Sequence, residues 1–450
     1  MRAAYTPVAI WQRLRSTYWF VPSLMTVMAI GLSVLMVSID RRTGAEWLTG
    51  WLYSGGADGA RALLSAVAGS TITVVSLTFS VTIVAVTVTS QHFGPRLMNN
   101  FMRDVSAQLV LGAFIGTFGY CLMVLRTVRG EGDGLTPFVP HLAVTVAVGL
   151  TLTSVAALIY FIHHISASMQ VATITTQISN DLRGAIDRIY PADIGQDHDS
   201  DPGQASLGQM TAPRDASTVV SSRAGYIQQI DAEAVMDLAR EHDLTIWLST
   251  GPGEFVVPGV PIASVAPAAR VTPRFAETLN GLLLLGPDRT STQDAGFTIQ
   301  QLVEVALHAL SPGMNEPFTA ITCIDRLSEG LALLAARPMP SPVRRDDDGA
   351  LRVVAPAQTF EQLLGGGMSA ITIYSGRNPA ISERLLRALE ILACAAYRHE
   401  DQTAIRRQAD MVWREAGRQI EEAEHLATVE GQYRRVLARL EGGGGPIRVS

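Results

Sequence analysis

The sequence predicts an α-helical membrane domain of four transmembrane helices, followed by an α+β soluble domain with a small β-rich module and C-terminal amphipathic helices. Four segments are long and apolar enough to cross about 30 Å of hydrocarbon. After the four spans come short segments with strand-like patterns, separated by turns, and then longer segments whose apolar residues recur at helical spacing. The two parts also differ in net charge. Residues 1–165 carry ten Arg against six acidic residues, and the remainder carries 25 Arg against 35 acidic residues.

The four candidate spans cover residues 19–39, 62–91, 105–125 and 138–162. None of them contains Asp, Glu or Arg, and His141 lies near one end of the fourth. Proton pumps and ion-coupled carriers usually need a carboxylate inside the membrane, so these classes are disfavoured. The apolar run of the first segment is too long for a cleaved signal peptide, which makes this segment a span.

The basic residues and cysteines narrow the function and the compartment. All 35 Lys+Arg residues are Arg. The absence of Lys excludes Schiff-base enzymes, phosphate-loop nucleoside triphosphatases, and biotin or lipoate carriers, because each of these needs a lysine. No cofactor is expected. The acidic soluble part argues against a nucleic-acid partner. The three cysteines form no disulfide framework. Free thiols indicate a reducing compartment, so we expect a bacterial inner-membrane protein with a cytoplasmic soluble domain.

The second span is rich in hydroxyl side chains, because 11 of the 30 residues between Arg61 and His92 are Ser or Thr. At about 100° per residue, eight of them form two rows on opposite sides of a helix. The first row is Thr71, Thr78, Thr82 and Thr89, and the second row is Thr73, Ser76, Ser80 and Thr87. In a homo-oligomer one row could line an axial pore while the other packs against neighbours. Alternatively, the hydroxyls only let helices approach and bond to their own i−4 carbonyls.

Composition divides the chain into five regions. They are the membrane domain (1–165), an exit helix and mobile linker (166–216), the β-rich module (217–290), a mostly helical soluble domain (291–441) and a flexible tail (442–450). The exit helix is predicted by Ile174, Ile178, Leu182 and Ile186, which recur at a spacing of four. Asp, Gly, Gln, Ser and Pro are typical of a mobile linker.

The β-rich module begins with a strand at residues 225–231 and a helix at 232–241 that Asp231 is expected to cap. Further strands are predicted at residues 244–248, within 251–262 and at 282–285. A helix then covers residues 298–310, and a second helix starts at about Pro317 with Asn315 as its expected cap. Beyond it we expect a loop at 337–356, a turn at 365–367, a strand at 370–374, and helices at 380–398 and 403–441.

Few residues suggest catalysis. Glu304 and His308 are four residues apart on one predicted helix and could share a metal ion, but no third ligand stands at a telling spacing. The chain has no catalytic-serine elbow, no zinc-protease motif and no phosphate loop. We therefore expect neither a resident metal nor an enzyme.

Two stretches carry longer motifs. The first runs from Thr71 to Arg96, and the second combines Arg289-Thr-Ser-Thr-Gln-Asp294 with Ser311-Pro-Gly-Met-Asn-Glu-Pro-Phe-Thr-Ala320. Both resemble a bacterial family of predicted integral membrane proteins known as domain of unknown function 2254. The resemblance implies an inner-membrane protein with a soluble C-terminal domain and brings no established activity. If the family has a pocket in its soluble half, the candidate residues are Gln293, Asp294, Gln301, Ser311, Asn315, Glu316 and Thr319.

Three functional hypotheses follow. The leading one is a homo-oligomer in the lipid bilayer with a channel-like or transport-related role for an ion or small ligand. The alternative is a membrane-bound ligand-sensing or scaffold protein. A third is a membrane-anchored, metal-dependent hydrolase that uses Glu304, His308 and Glu316.

Overall fold

The structure is a computed structural model that describes residues 19–43, 53–93, 105–130, 136–168, 170–191, 211–355, 357–375 and 378–442. The chain forms two compact units that divide between Thr173 and Ile174. The first unit contains apolar helices, and the second combines helices with two sheets. Both parts of the predicted fold class are confirmed.

The described part of the first unit, the membrane unit, is built from four long helices. They are α1 (Phe20–Thr43), α2 (Ala57–Phe93), α3 (Val105–Leu125) and α4 (His141–Ser168). By length and composition each of them can cross a membrane, as the sequence predicts. α2 has 37 residues, well beyond the roughly 20 that a span requires.

Glycines on α3 allow close contact with α1. A Cβ added at Gly112 would lie 2.5 Å from Met25 Sδ, and one added at Gly116 would lie 3.3 Å from the Ala29 Cβ. Membrane helices associate mainly through van der Waals packing, and small residues four apart let their backbones approach. Gly112 and Gly116 form such a pair.

A carboxylate links the end of α1 to the start of α4. Asp40 is buried in the last turn of α1 and accepts hydrogen bonds from Leu142 N at 3.1 Å and Ala143 N at 2.9 Å. The first turn of a helix leaves these amides without helical partners, and its dipole favours a negative charge. Asp40 therefore caps α4 from a neighbouring helix.

The second unit begins within α5 (Val171–Ile189) and continues into two small sheets. The strands are β1 (Ser217–Val220), β2 (Gly225–Ile230), β3 (Thr245–Leu248), β4 (Phe255–Val256), β5 (Pro261–Ala266), β6 (Leu283–Gly286), β7 (Val343–Arg345) and β8 (Leu351–Val354). One sheet has the order β1-β5-β3-β8-β7 and the other β4-β2-β6. The pairs are antiparallel except β3 and β8, which run parallel with Ile246 opposite Val353.

Two helices lie against these sheets, α6 (Ala232–Glu241) and α7 (Pro273–Leu282). Val235 of α6 and Phe275 of α7 share one apolar core with Ile246 of β3. The predicted cap is confirmed, because Ala234 N donates to Asp231 Oδ1 at 3.1 Å.

Six further α-helices belong to the described part of the second unit. They are α8 (Ala295–Ala309), α9 (Pro317–Ala335), α10 (Phe360–Ser375), α11 (Pro379–Ala395), α12 (His399–Gln419) and α13 (Ala423–Glu441). The four isoleucine and leucine positions predicted for the exit helix lie on the buried face of α5. α5 contacts α9 so closely that a Cβ at Gly330 would overlap with Leu182.

Three local predictions are wrong. Residues 370–374 are not a strand and residues 365–367 are not a turn, since both lie inside α10. A Cβ at Gly367 would lie 3.2 Å from Ile299 Cγ2, so glycine serves helix packing here rather than a turn. Asn315 does not cap α9: Glu316 holds the cap position, and Asn315 adopts a left-handed φ of 48°.

Two longer segments also differ from expectation. The predicted loop at 337–356 contains β7 and β8, because Val353 and Val354 are buried and pair with β3. The predicted helix at 403–441 is interrupted at Ile420, which has extended backbone angles. The chain folds back there, and Trp413 of α12 stacks on Tyr433 of α13 with 5.7 Å between ring centroids.

Candidate functional site

The two hydroxyl rows of α2 have different surroundings. In the first row Thr71 and Thr78 are buried and Thr82 is partly buried. The side chain of Thr89 lies outside the described residues. The second row, Thr73, Ser76, Ser80 and Thr87, is exposed. The membrane unit packs on the first row and leaves the second row on its surface.

Several exposed hydroxyls bond to their own helix. Thr73 donates to the Gly69 carbonyl at 3.0 Å, and Ser76 donates to the Ile72 carbonyl at 3.1 Å. This is the self-bonding that the packing alternative expects. Each hydroxyl oxygen keeps lone pairs that can accept from water or contact a cation.

Two buried polar groups of the membrane unit have no hydrogen-bond partner in the described structure. They are the Thr78 hydroxyl and the whole side-chain amide of Gln108 on α3, a residue that is 1% exposed. Val75 of α2 belongs to the same apolar cluster as Ala107 and Val110 of α3. An unpaired polar group in hydrocarbon costs several kcal/mol.

In the second unit, residues of the second family motif (289–294 and 311–320, here called the signature) form a network around Asp294. Asp294 is 1% exposed and caps α8 by accepting from Phe297 N at 3.1 Å. Arg289 donates to Asp294 Oδ2 at 2.9 Å through Nε and at 2.7 Å through Nη2, and to Gln300 Oε1 at 2.5 Å through Nη1. Gln358 donates to Asp294 Oδ1 at 3.3 Å. With both oxygens engaged, Asp294 acts here as a structural carboxylate.

Gln293 pairs with the end of β2 as another strand would. Its Oε1 accepts from Ile230 N at 2.9 Å, and its Nε2 donates to the Ile230 carbonyl at 3.0 Å. The nearby Tyr190 hydroxyl donates to the Gln358 carbonyl at 3.1 Å. Burial and, secondarily, the Asp294 carboxylate raise the pKa of Tyr190 well above its usual value, so the phenol stays neutral.

A cavity of about 630 Å³ lies beside this network. Its apolar lining includes Ile230, Val235, Leu248 and Val353. Leu248 and Val353 lie at the carboxyl ends of the parallel strands β3 and β8.

Charged and amide side chains also line the cavity. Its charged residues are Arg188, Arg289, Arg344 and Glu254, and its amide side chains are those of Gln293, Gln358 and Gln362. A second cavity of about 350 Å³ shares Glu254, Arg289, Gln358 and Gln362 with the first. The two cavities therefore adjoin one polar wall.

The structure does not bring the seven predicted pocket residues together. Gln293 and Asp294 precede α8, Gln301 lies buried within it, and Ser311, Asn315, Glu316 and Thr319 follow it. Fifteen helical residues separate the two ends by about 22 Å. Only Gln293 of the seven lines the larger cavity.

The second part of the signature forms a turn between α8 and α9. The Ser311 carbonyl accepts from Met314 N and from Asn315 N, both at 3.0 Å. The Thr319 hydroxyl donates to the Glu316 carboxylate at 3.2 Å. Phe318 beside them is 81% exposed. These residues shape a surface turn rather than a cavity.

Metal ligation finds no support in the described part of the chain. No group of three or more His, Cys, Asp or Glu side chains is placed there to hold a metal ion. The hydrolase alternative required Glu304, His308 and Glu316 to converge on one metal. Glu304, His308 and Glu316 do not form such a group among the described residues.

Comparison with known proteins assigns the family. A model of the predicted membrane protein family DUF2254 matches residues 15–391. The chain belongs to this family. Two relatives, uncharacterized protein Rv1290c of Mycobacterium tuberculosis and uncharacterized protein Mb1321c of Mycobacterium bovis, are each 31% identical to it over 439 residues, which is 96% of this chain and 82% of the relative. No solved structure matches the chain.

From the DUF2254 motifs the sequence predicted one lining residue of the cavity, Gln293, but not the charged lining residues. The residues that it missed are Arg188, Glu254, Arg344, Gln358 and Gln362. They come from four separate parts of the chain, and no local pattern distinguishes them from surface residues. The one usable signal was the Gly251-Pro-Gly-Glu254 turn, which places Glu254 at the cavity.

Proposed function

We propose that this DUF2254 protein is a homo-oligomer in the membrane with a channel-like or transport-related role. The exposed second row of α2 carries the proposal. A helix face that meets only acyl chains gains little from four hydroxyl side chains, whereas a face that meets water or another copy can use them. The second row is the surface that would face the symmetry axis or a neighbouring copy.

The chemistry of α2 suits an uncharged pathway. No formal charge occurs between Arg61 and His92, so the wall would present hydroxyl oxygens and apolar groups to a passing ion or solute. Such a wall favours weak selectivity.

Flux through liposomes tests this role. Purified full-length protein is expected to dissipate a K⁺ gradient, followed with a potential-sensitive dye. Ser80→Leu removes a second-row hydroxyl and should lower the flux, whereas Val81→Leu, at an exposed apolar position of the same turn, should not. If K⁺, Cl⁻ and small neutral solutes all stay trapped under voltage and pH steps, the channel-like role is contradicted.

We also propose that the protein lies in the bacterial inner membrane with the second unit in the cytoplasm. The free thiols support this side, because Cys323 and the partly exposed Cys394 form no disulfide, as is usual in a reducing compartment. An impermeant maleimide should label Cys394 only after the inner membrane is opened. Labelling of intact spheroplasts would place the second unit outside.

Ligand sensing by the second unit is the second candidate function, and the larger cavity favours it. A volume of about 630 Å³ falls within the range of small-molecule sites. A ligand that raises the unfolding temperature should lose this effect in Ala355→Trp, which fills the cavity from its lining. An unchanged effect in this variant would separate the ligand from the cavity.

A further inference from the structure

We propose that the larger cavity of the second unit binds a small organic anion, with one phosphate or carboxylate group on an apolar body. This inference deepens the ligand-sensing candidate and rests on it. It does not depend on the channel-like role.

The charge of the cavity lining differs in sign from the net charge of the chain beyond residue 165. Three of its four charged side chains are arginines, whereas the chain from residue 166 onward has 25 Arg against 35 acidic residues. An acidic domain that gathers arginines around a cavity creates a local positive potential, which attracts anions. Guanidinium groups also bind phosphate and carboxylate through paired hydrogen bonds.

The three arginines are not equally available. Arg289 is neutralised by Asp294 at 2.7 Å. Arg188 donates one hydrogen bond to the Ser291 carbonyl at 3.1 Å and interacts electrostatically with Asp181. Arg344 is exposed, and its side chain makes no hydrogen bond or ion pair within the described structure. Arg344 is therefore the first candidate to contact the anion, with Arg188 as the second.

The remaining charge limits the ligand to about one negative group. With Arg289 paired to Asp294, the lining presents Arg188 and Arg344 against Glu254. Glu254 accepts from Gly251 N at 3.1 Å and adds a negative charge at the cavity. A ligand with several phosphates would meet this carboxylate with unfavourable charge.

The other lining groups specify an apolar body. Ile230, Val235 and Leu248 form a surface that inorganic phosphate alone would leave uncovered. The amide oxygen of Gln362 accepts from Thr359 N at 3.0 Å, which leaves the amide NH₂ as a donor at the cavity. The cavity therefore combines cations, an amide donor and an apolar wall.

Calorimetric titration of the full-length protein in detergent tests the inference with phenyl phosphate as the probe. Phenyl phosphate should bind saturably, inorganic phosphate more weakly, and benzyl alcohol, which keeps the ring without the charge, not measurably. Benzoate distinguishes a carboxylate site from a phosphate site, and binding of either anion supports the proposal. Arg344→Gln should weaken binding by about tenfold, the loss expected for one charge-assisted hydrogen bond.

Arg345→Gln is the matched control. Arg345 precedes the turn of the same hairpin, donates to the Gly349 carbonyl at 2.9 Å and does not line the cavity, so its loss should leave affinity unchanged. Arg188→Gln provides a second variant of the site. Equal affinity for phenyl phosphate in Arg344→Gln, Arg188→Gln and the wild type would overturn the proposal. Tighter binding of benzyl alcohol than of either anion would also overturn it, while leaving ligand sensing in place.

Discussion

Gly253 lies so close to Asp294 that a Cβ atom at residue 253 would overlap with the carboxylate. Gly253 also has a positive φ of 90°, and its N–H donates to the Ile227 carbonyl at 2.8 Å. The turn that carries Glu254 is thereby fixed against the signature carboxylate. This contact connects one wall of the cavity to the start of α8.

Gly253→Ala should destabilise the second unit by about 2 to 4 kcal/mol, since it adds both a steric overlap and a strained backbone. Gly259→Ala is the matched control, because Gly259 has φ 88° but no atom within 4 Å of an added Cβ. It should cost only the backbone strain, about 1 kcal/mol. Thermal unfolding followed by tryptophan fluorescence measures both. Equal losses would contradict the close contact with Asp294.

Gly330→Ala should loosen the contact between α5 and α9. The added Cβ would overlap with Leu182, which is fully buried and has little room to move, so a loss of about 1 to 3 kcal/mol is expected. Gly431→Ala on α13 has open space around it and should stabilise by up to about 1 kcal/mol through helix propensity. Denaturant unfolding compares the two. A stabilising Gly330→Ala would refute the packing described for α5.

Asp40→Ala should weaken the membrane unit. The substitution leaves Leu142 N and Ala143 N without their acceptor, and loss of a helix cap costs about 1 to 2 kcal/mol. Asp58→Ala is the control, since Asp58 has an exposed side chain and makes only a 3.7 Å contact with Arg61. The unfolding temperature in detergent should fall clearly for the first variant and only slightly for the second, because Asp58 contributes an exposed charge in the first turn of α2. Equal losses would contradict the cap by Asp40.

Acid should destabilise the β7–β8 hairpin through Arg352. Its Nε donates to Asp346 at 2.6 Å and its Nη1 to Asp243 at 2.7 Å, and these hydrogen bonds are the main cause of the lowered pKa of both carboxyls. For an acid with a lowered folded pKa, the stabilisation is complete above the unfolded value of 3.8 and is lost as the pH falls from there through the folded pKa.

Arg352→Gln should therefore be less stable than the wild type at neutral pH and approach it below about pH 4. Unfolding temperatures from pH 7 to pH 3 measure the difference. Arg274→Gln removes an exposed arginine outside this cluster. Its unfolding temperature should change with pH in the same way as that of the wild type. A constant gap between Arg352→Gln and the wild type would contradict the pKa shifts.

The sequence predicted those parts of the fold in which local pattern and burial agree. The four apolar spans, the buried face of α5 and the Asp231 cap all depend on spacing within one segment. Gly367 led to a wrong prediction because glycine has two uses. In a turn it supplies backbone freedom, but here it makes room for Ile299 on another helix.

The candidate site was harder to predict because long-range contacts assemble it. Asp294 was selected from its motif, but its pairing with Arg289 and the closeness of Gly253 depend on the folded turn. Arg344 lies in the segment 337–356 that was predicted to be a loop, and the pairing of β7 with β8 brings it to the cavity. The residue types alone did not indicate these long-range contacts.

Cysteine crosslinking in the membrane tests most directly whether the second row of α2 meets another copy. In a variant with Cys121, Cys323 and Cys394 replaced by Ala, Ser80→Cys should form a disulfide-linked dimer on mild oxidation. Val81→Cys, exposed on a different side of the same turn, should stay monomeric. A monomeric Ser80→Cys, with Ser76→Cys behaving alike, would contradict self-assembly through this face.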